Sequence, residues 1–425
     1  MEDVGVSVLD DDTEVEMQEV EQSLAMASPV SRKRDLIPPC APKVTVIGNP
    51  GAGLQMIVRN TDDEECDSQS KDLSPSPEVP FFIHRRSKPY FVRSNAEFMD
   101  KLSDEIMLCI FCWLPKTTLS KCARVCKRWS RLAFDESLWK RLDLASKNLK
   151  AGVLGRILER GVSVLRLARS SVLLPLFSPS AVPNVRQCKL QYLDLSMSAI
   201  TKEGIEELLS NFHSLKKLSL ENCEVDEQIC RAISQNANLE VLNLCMCRGI
   251  TENGLVYLCN NLQRLESLNV AWSNMSRGAV VYLVICLPES LLKLNLSGCR
   301  QTLLDEDVKQ LCMSCPNLKE LDLSDATMLS TDSIEFISTL LKGLEYIALS
   351  RCYNITPASL PLLGNILTLL ALDVFGVLND TGLRLLRSQL SNTEVNKFPF
   401  SSIARPTTGI RRTSIWGLRV RDAVV

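Results

Sequence analysis

Four constellations in the 425-residue chain have types and spacings that could do chemistry. Trp272, Arg300, Asp325 and Arg351 combine an aromatic anchor with two guanidinium groups and a carboxylate between them. That set can grip an acidic peptide through charge-assisted hydrogen bonds. The alternative is that Arg351 and Asp325 simply pair with each other. Cys109-x-x-Cys112 followed by Cys122-x-x-x-Cys126 mimics a zinc spacing. All four thiols fall in a helical pattern, where cysteine serves as a small buried hydrophobe, so no metal is expected. Gly48-Asn49-Pro50-Gly51-Ala52-Gly53 is glycine-rich, but no Lys-Ser/Thr pair or helix pattern follows, so it is not read as a phosphate loop. Ser28-Pro29, before Arg32-Lys33-Arg34, reads as a proline-directed phosphorylation site beside a basic cluster that could serve nuclear import. A solvated charge run is the other reading. With two histidines, His84 and His213, and no nucleophile constellation, a non-catalytic chain without cofactors is expected.

The elements that must position the first constellation repeat along the chain. Leu-x-x-Leu-x-Leu recurs with its central residue at Leu193, Leu218, Leu242, Leu268, Leu294, Leu321, Ile347 and Leu372, in steps of 25, 24, 26, 26, 27, 26 and 25. Less regular copies precede it at Leu142/Leu144 and Leu165/Leu167, and a degenerate one is placed near Phe398/Phe400. About ten leucine-rich repeats follow. Residues such as Leu321 and Leu323 share the inward face of a short strand, while Asp322 and Ser324 face solvent. A helical stretch follows each strand; Thr356 reads as an N-cap, with Leu360, Leu363 and Ile366 on the apolar face. Stacked copies bury one another's leucines in an α/β, right-handed solenoid with parallel strands on its concave face. Ser219, Asn243, Asn269, Asn295, Asp322, Ala348 and Asp373 are expected to line that face, exposed. Cys223, Cys247, Cys299 and Cys352 recur at one offset, a structural turn position.

Residues 98–142 are too apolar for their length to enclose a core, so a partner surface is implied. Leu102, Ile106 and Ile110 form one helical stripe ended by Pro115 after Leu114. A second helix is expected from about Thr118, with Leu119, Cys122, Val125, Cys126 and Trp129 on its apolar face and Lys121, Arg124, Lys127, Arg128 and Arg131 on the rest.

Leu102-Ser103-Asp104-Glu105-Ile106, Ile110-Phe111-Cys112-Trp113-Leu114-Pro115 and Val125-Cys126-Lys127-Arg128-Trp129 resemble the F-box. Ser103 stands where that family usually has proline, and Met99 where close relatives carry tryptophan. The resemblance implies a hairpin that docks on a Skp adaptor, and through it on a cullin scaffold and a RING subunit. Leu102, Ile106, Ile110, Leu114, Pro115, Leu119, Val125 and Trp129 are the implied contacts. Asp135-Glu136-Ser137-Leu138-Trp139, Leu349-Ser350-Arg351-Cys352-Tyr353, Ile403-Ala404-Arg405-Pro406-Thr407 and Ile415-Trp416-Gly417 resemble one branch of the F-box/leucine-rich-repeat family. That likeness implies a non-catalytic substrate receptor of an SCF-type ubiquitin ligase. With a small Cks-family subunit it would capture a phosphorylated Kip-type cyclin-dependent kinase inhibitor for degradation in the cell cycle. Trp272, Arg300, Asp325 and Arg351 match the substrate and accessory surface. The alternatives are a leucine-rich-repeat scaffold whose hairpin merely caps the first repeat, or an F-box receptor for a different substrate set.

The expected divisions are an acidic, disordered arm over 1–94, the F-box over 95–141, repeats over 142–393 and a tail over 394–425. Residues 1–31 hold nine carboxylates and no Lys or Arg, whereas 395–425 hold six Lys and Arg against one Asp. The tail's Ile403, Arg405, Pro406 and Trp416 are expected to fold back along the concave face. No basic nucleic-acid stripe, signal peptide or apolar run near the ~20 residues of a membrane span is read. The seventeen cysteines are therefore expected to be reduced, in the nucleus and cytoplasm.

Overall fold

The computed structural model describes residue 99 and residues 101–177, 189–407 and 413–421. Residues 103–425 fall in one unit; of the other, which ends at Leu102, only Met99, Lys101 and Leu102 are described. The expectations for Ser28, for the loop at Gly48–Gly53 and for a disordered arm over 1–94 lie outside the described residues.

Each predicted central residue sits in the middle of a three-residue strand. Eleven strands, one per repeat from β1 (Arg141–Asp143) to the last at Glu394–Val395, pair in parallel in a single sheet. Register is uniform, so that Leu242 lies opposite Leu268 and Leu268 opposite Leu294. The central leucines, with those two residues onward, are buried against the returning helices. A leucine-rich-repeat solenoid results, in which each turn closes the hydrophobic face of the one before it. The final strand is not at Phe398/Phe400: Glu394 pairs with Ala371 and Val395 with Leu372, and the two phenylalanines lie beyond it. Thr356 makes no side-chain cap either, and the segment after it, Pro357–Asn365, winds as a 3₁₀-helix that contains Pro361. Leu360, Leu363 and Ile366 are still buried.

The turn-position cysteines tie neighbouring repeats together. Cys223 Sγ donates to Leu195 O at 3.5 Å, Cys247 to Leu220 O at 3.1 Å and Cys352 to Leu323 O at 3.2 Å. Burial pushes the thiols of Cys230, Cys312 and Cys352 up to about 12 from an ordinary 9.0. In the unfolded chain these thiols lose protons near 9.0, while the folded chain holds them to about 12. Above the lower value the unfolded state therefore binds fewer protons, and stability falls as pH rises. Urea titrations at increasing pH are expected to show a stability that is level below about pH 9 and declines toward pH 12.

Among the described residues, the segment from Ser103 to Phe134 holds three short helices rather than a hairpin of two. They are α1 (Asp104–Phe111), α2 (Lys116–Cys122) and α3 (Lys127–Ala133). The expected second helix breaks because the chain is extended at Cys126, whose Sγ accepts from Trp129 N at 3.4 Å and starts α3 afresh. Ser103 caps α1 by accepting from Ile106 N, which gives a local reason for serine at that position. Arg128 Nε donates to Asp104 Oδ1 at 2.9 Å and Arg131 to Oδ2, tying α3 to the first turn of α1. Trp139 joins this bundle to the repeats. It is buried, donates Nε1–H to Ala133 O at 2.8 Å and stacks on Phe134, whose ring has the Arg160 guanidinium over it at 4.2 Å from the centroid.

The tail runs back over the concave face. Phe398 packs edge-on against Tyr346, Ile403 and Ala404 cover Val241, and Arg405 Nη2 reaches Cys245 Sγ at 3.6 Å. Farther on, Ile415 and Val420 pack on Val164, and Arg421 Nε meets Asp143 Oδ2 at 2.6 Å. Trp416 closes the loop, taking Pro406 O on its N–H at 2.7 Å and giving Nε1–H to Ala404 O at 3.1 Å.

Candidate functional site

The expected lining of the concave face is not exposed. Ser219, Asn243, Asn269, Asn295, Asp322, Ala348 and Asp373 are 0–5% accessible, and Ser324 is buried too. Two causes act. The tail lies over them, as where Asn269 Nδ2 donates to Ile403 O at 3.1 Å. The Asn and Asp side chains also turn back to accept the N–H two residues on, as Asn243 does from Cys245 and Asp322 from Ser324. Burial raises the carboxyls of Asp322 and Asp373 from their ordinary value. These residues build the wall and do not present it to a ligand.

What remains exposed is the rim where each strand ends. There ten of the eleven repeats set one residue in the left-handed region: Ser146, Arg169, Met197, Asn222, Met246, Trp272, Gly298, Asp325, Arg351 and Gly376, with φ between 57° and 84°. The N–H of each but Gly376 is pinned to a carbonyl of the next repeat, as in Trp272 N to Ser297 O, Asp325 N to Ser350 O and Arg351 N to Phe375 O, all 2.8 Å. Three of the four residues singled out from sequence thus occupy one position of the repeat, which aims them to the same side. Arg300 follows two residues after the glycine of the repeat between them.

Together they line a cavity of about 370 Å³ with Thr327 and Tyr353. Arg351 grips Asp325 with both prongs, Nε to Oδ1 at 2.8 Å and Nη2 to Oδ2 at 2.5 Å. That hydrogen bonding holds the Arg351 guanidinium above its usual value. The arginine–aspartate pairing weighed from sequence is therefore present, but it leaves a positive excess. Arg300 stands 3.9 Å from Asp325, with its guanidinium 5.0 Å from the Trp272 ring centroid, and most of its side chain is open to solvent. Two cations against one carboxylate, beside an indole, have the chemistry to take an incoming carboxylate.

Gly298 makes the indole's position possible. A Cβ there would meet Trp272 Cδ2 at 2.6 Å, and its φ of +84° disfavours any side chain. Gly298→Ala is expected to tip the indole off its neighbour and weaken acidic-peptide binding about tenfold, read by fluorescence anisotropy and by Trp272 quenching. Thr327 and the exposed Tyr353 were not assigned from sequence, although Tyr353 closes the Leu349–Tyr353 motif and two-residue spacing from Arg351 could have found it.

The other assigned surface divides in two. Ile106 and Ile110 are 49% and 41% exposed on one side of α1, Val125 is 63% exposed, and Leu114, Pro115 and Trp129 are half-buried. Leu102, also half-buried, falls in the other unit. Leu119 does not belong to this surface: it is 1% exposed, inside the bundle with Met107 and Phe111. Trp113, 82% exposed, was not assigned and extends the outward patch. Cys109, Cys112 and Cys126 are exposed rather than buried, contrary to the packing role expected of them. Among the described residues no group of three or more metal-ligating side chains converges, and no helix is long and apolar enough to cross a membrane.

Comparison with known proteins bears on both surfaces. The family model described as SKP2 LRR domain matches residues 152–423, and the F-box-like model matches 100–145. Human F-box/LRR-repeat protein 12 is 31% identical over 139 residues, 29% of this chain and 40% of the relative. The mouse protein of the same name is 31% identical over 138 residues, with the same coverage. The chain therefore spans about two fifths of the length of these curated relatives. Among solved structures, the yeast Rad7 and Elc1 complex aligns at 15% identity and a TM-score of 0.41, over 73% of this chain and 93% of that one.

Proposed function

The chain belongs to the SKP2 leucine-rich-repeat family and carries an F-box-like segment ahead of its repeats, and from that premise we propose that it is the substrate-recognition subunit of an SCF-type ubiquitin ligase. The outward patch of the F-box helices docks on a Skp adaptor, which bridges to a cullin and a RING subunit. The rim cavity holds an acidic segment of a phosphorylated cell-cycle regulator, a Kip-type cyclin-dependent kinase inhibitor, with a Cks-family subunit beside it. The complex works in nucleus and cytoplasm. The chain supplies no chemistry of its own: it raises the effective concentration of substrate lysines near a charged conjugating enzyme.

The observation that carries this reading is the pair of unsatisfied surfaces at separate places on the chain. One is the apolar patch of Ile106, Ile110, Trp113 and Val125, and the other the positive excess at Arg300 and Arg351 beside Trp272. A mere end cap would turn its apolar side chains into the first repeat, as Trp139 does, and would leave none facing outward. The purified chain is expected to bind immobilised Skp adaptor, and to bind a phosphorylated inhibitor peptide more tightly when the Cks subunit is present. Failure to retain the adaptor would sink the receptor reading.

A further inference from the structure

The rim position that carries Trp272, Asp325 and Arg351 continues toward the first repeats, and there it bears two large apolar side chains, Met246 and Met197. Their φ values are 58° and 57°, and they are 46% and 43% exposed. The backbone does not call for methionine. Asn222 stands at the same position between them, Ser146 two repeats before and Gly298 after, all with the same cross-repeat hydrogen bond. A long side chain in the left-handed region is less favourable than glycine there. At Met197 and Met246 that cost is accompanied by exposure of apolar surface. The other repeats share this backbone, so what is particular to these two positions is apolar surface set outward, which a partner can cover.

The geometry points to a binding track, in which an extended peptide with its carboxylate in the Arg300/Arg351 cavity lays apolar side chains over Met246 and Met197. This rests on the reading of that cavity as a carboxylate receptor. Strands in a sheet lie about 4.8 Å apart, so Met246, three repeats from Asp325, is ~14 Å away and Met197, five repeats away, is ~24 Å. An extended chain advances about 3.3 Å per residue and turns every second side chain to the same face, which places the two apolar side chains about four and about eight residues from the acidic one. Methionine suits such a track, since its unbranched thioether adapts to more than one apolar partner. Between the two, the exposed Asn222 side chain can hydrogen-bond the peptide backbone as it passes. The occupant is thus an acidic segment with two spaced apolar residues on one side of its carboxylate.

The test uses the full-length chain and fluorescent peptides with one central glutamate and a leucine pair moved stepwise along either side. Affinity is expected to peak with leucines at about four and eight residues, on one side only. The double variant Met246→Asn, Met197→Asn adopts the residue native at position 222. It should keep its thermal midpoint and its preference for glutamate over glutamine while losing the leucine preference, about tenfold in affinity. A leucine preference that survives in the double variant overturns the track, as does a glutamate preference with no leucine preference at all. If the variant instead loses only Cks-subunit binding, the methionines serve that partner and the track is refuted. Absence of any glutamate preference in the parent chain refutes the cavity reading itself, a separate result.

Discussion

Ile106→Asp and Ile110→Asp are each expected to abolish capture of the Skp adaptor while leaving the thermal unfolding midpoint unchanged. Helix α1 carries two apolar stripes with different destinations. Met107 and Phe111 point inward, where the Phe111 ring meets Trp129 edge-on at 5.4 Å between centroids. Ile106 and Ile110, one residue earlier in each turn, face solvent. An aspartate at an outward position is hydrated in the free chain and costs the fold little. In the complex it would be buried without a partner, at about 3–5 kcal/mol. That corresponds to a loss of ~100-fold or more in affinity. The opposite control is Phe111→Asp or Leu119→Asp, which should unfold the bundle and lose the adaptor for that reason alone. Surface plasmon resonance with circular dichroism on the same samples separates the two cases, and retention of adaptor binding by both outward variants would place the docking surface elsewhere.

Arg300→Glu carries the second large effect. It changes the cavity from two cations and one carboxylate to one cation and two carboxylates, with Arg351 already held bidentate by Asp325. An acidic peptide would then meet like charge where it needs a charge-assisted hydrogen bond. Loss of that bond and the added repulsion together are worth about 3 kcal/mol, or ~100-fold in affinity. Stability should not move, because Arg300 is mostly exposed and its contact with Asp325 is a long one, 3.9 Å. Adaptor binding should not move either. Isothermal titration of the phosphorylated inhibitor peptide into the variant reads the effect, and unchanged affinity would remove Arg300 from the site.

The repeat was legible because its cause is local and periodic. A leucine buried on every turn leaves a fixed mark, and Leu193 through Leu372 each proved to be a strand centre. The cavity residues were legible as types that break the pattern. What brings them together was not: the left-handed position holds Arg169, Met197, Asn222, Met246, Trp272 and Gly298 in turn, so no residue type announces it. It is defined by a backbone hydrogen bond to the next repeat, which side chains do not encode. The supposed lining failed for a related reason. Alternation places Asn243 and Asp322 on the concave side, but whether a tail covers that side depends on contacts between positions far apart in the chain, such as Asn269 with Ile403. In the F-box segment, the stripe at Ile106 and Ile110 was seen, whereas the helix break before α3 hinges on one extended residue, Cys126, inside a pattern that reads as continuous helix.

The central claim is that one chain holds an adaptor at its F-box helices and an acidic substrate at its rim at the same time. Sedimentation velocity of the full-length chain with Skp adaptor, Cks subunit and a fluorescent phosphorylated inhibitor peptide tests it directly. The account predicts one boundary that contains adaptor and peptide together, from which Ile106→Asp removes only the adaptor and Arg300→Glu only the peptide. A boundary in which adaptor and peptide displace one another, or from which the adaptor is absent, would contradict it.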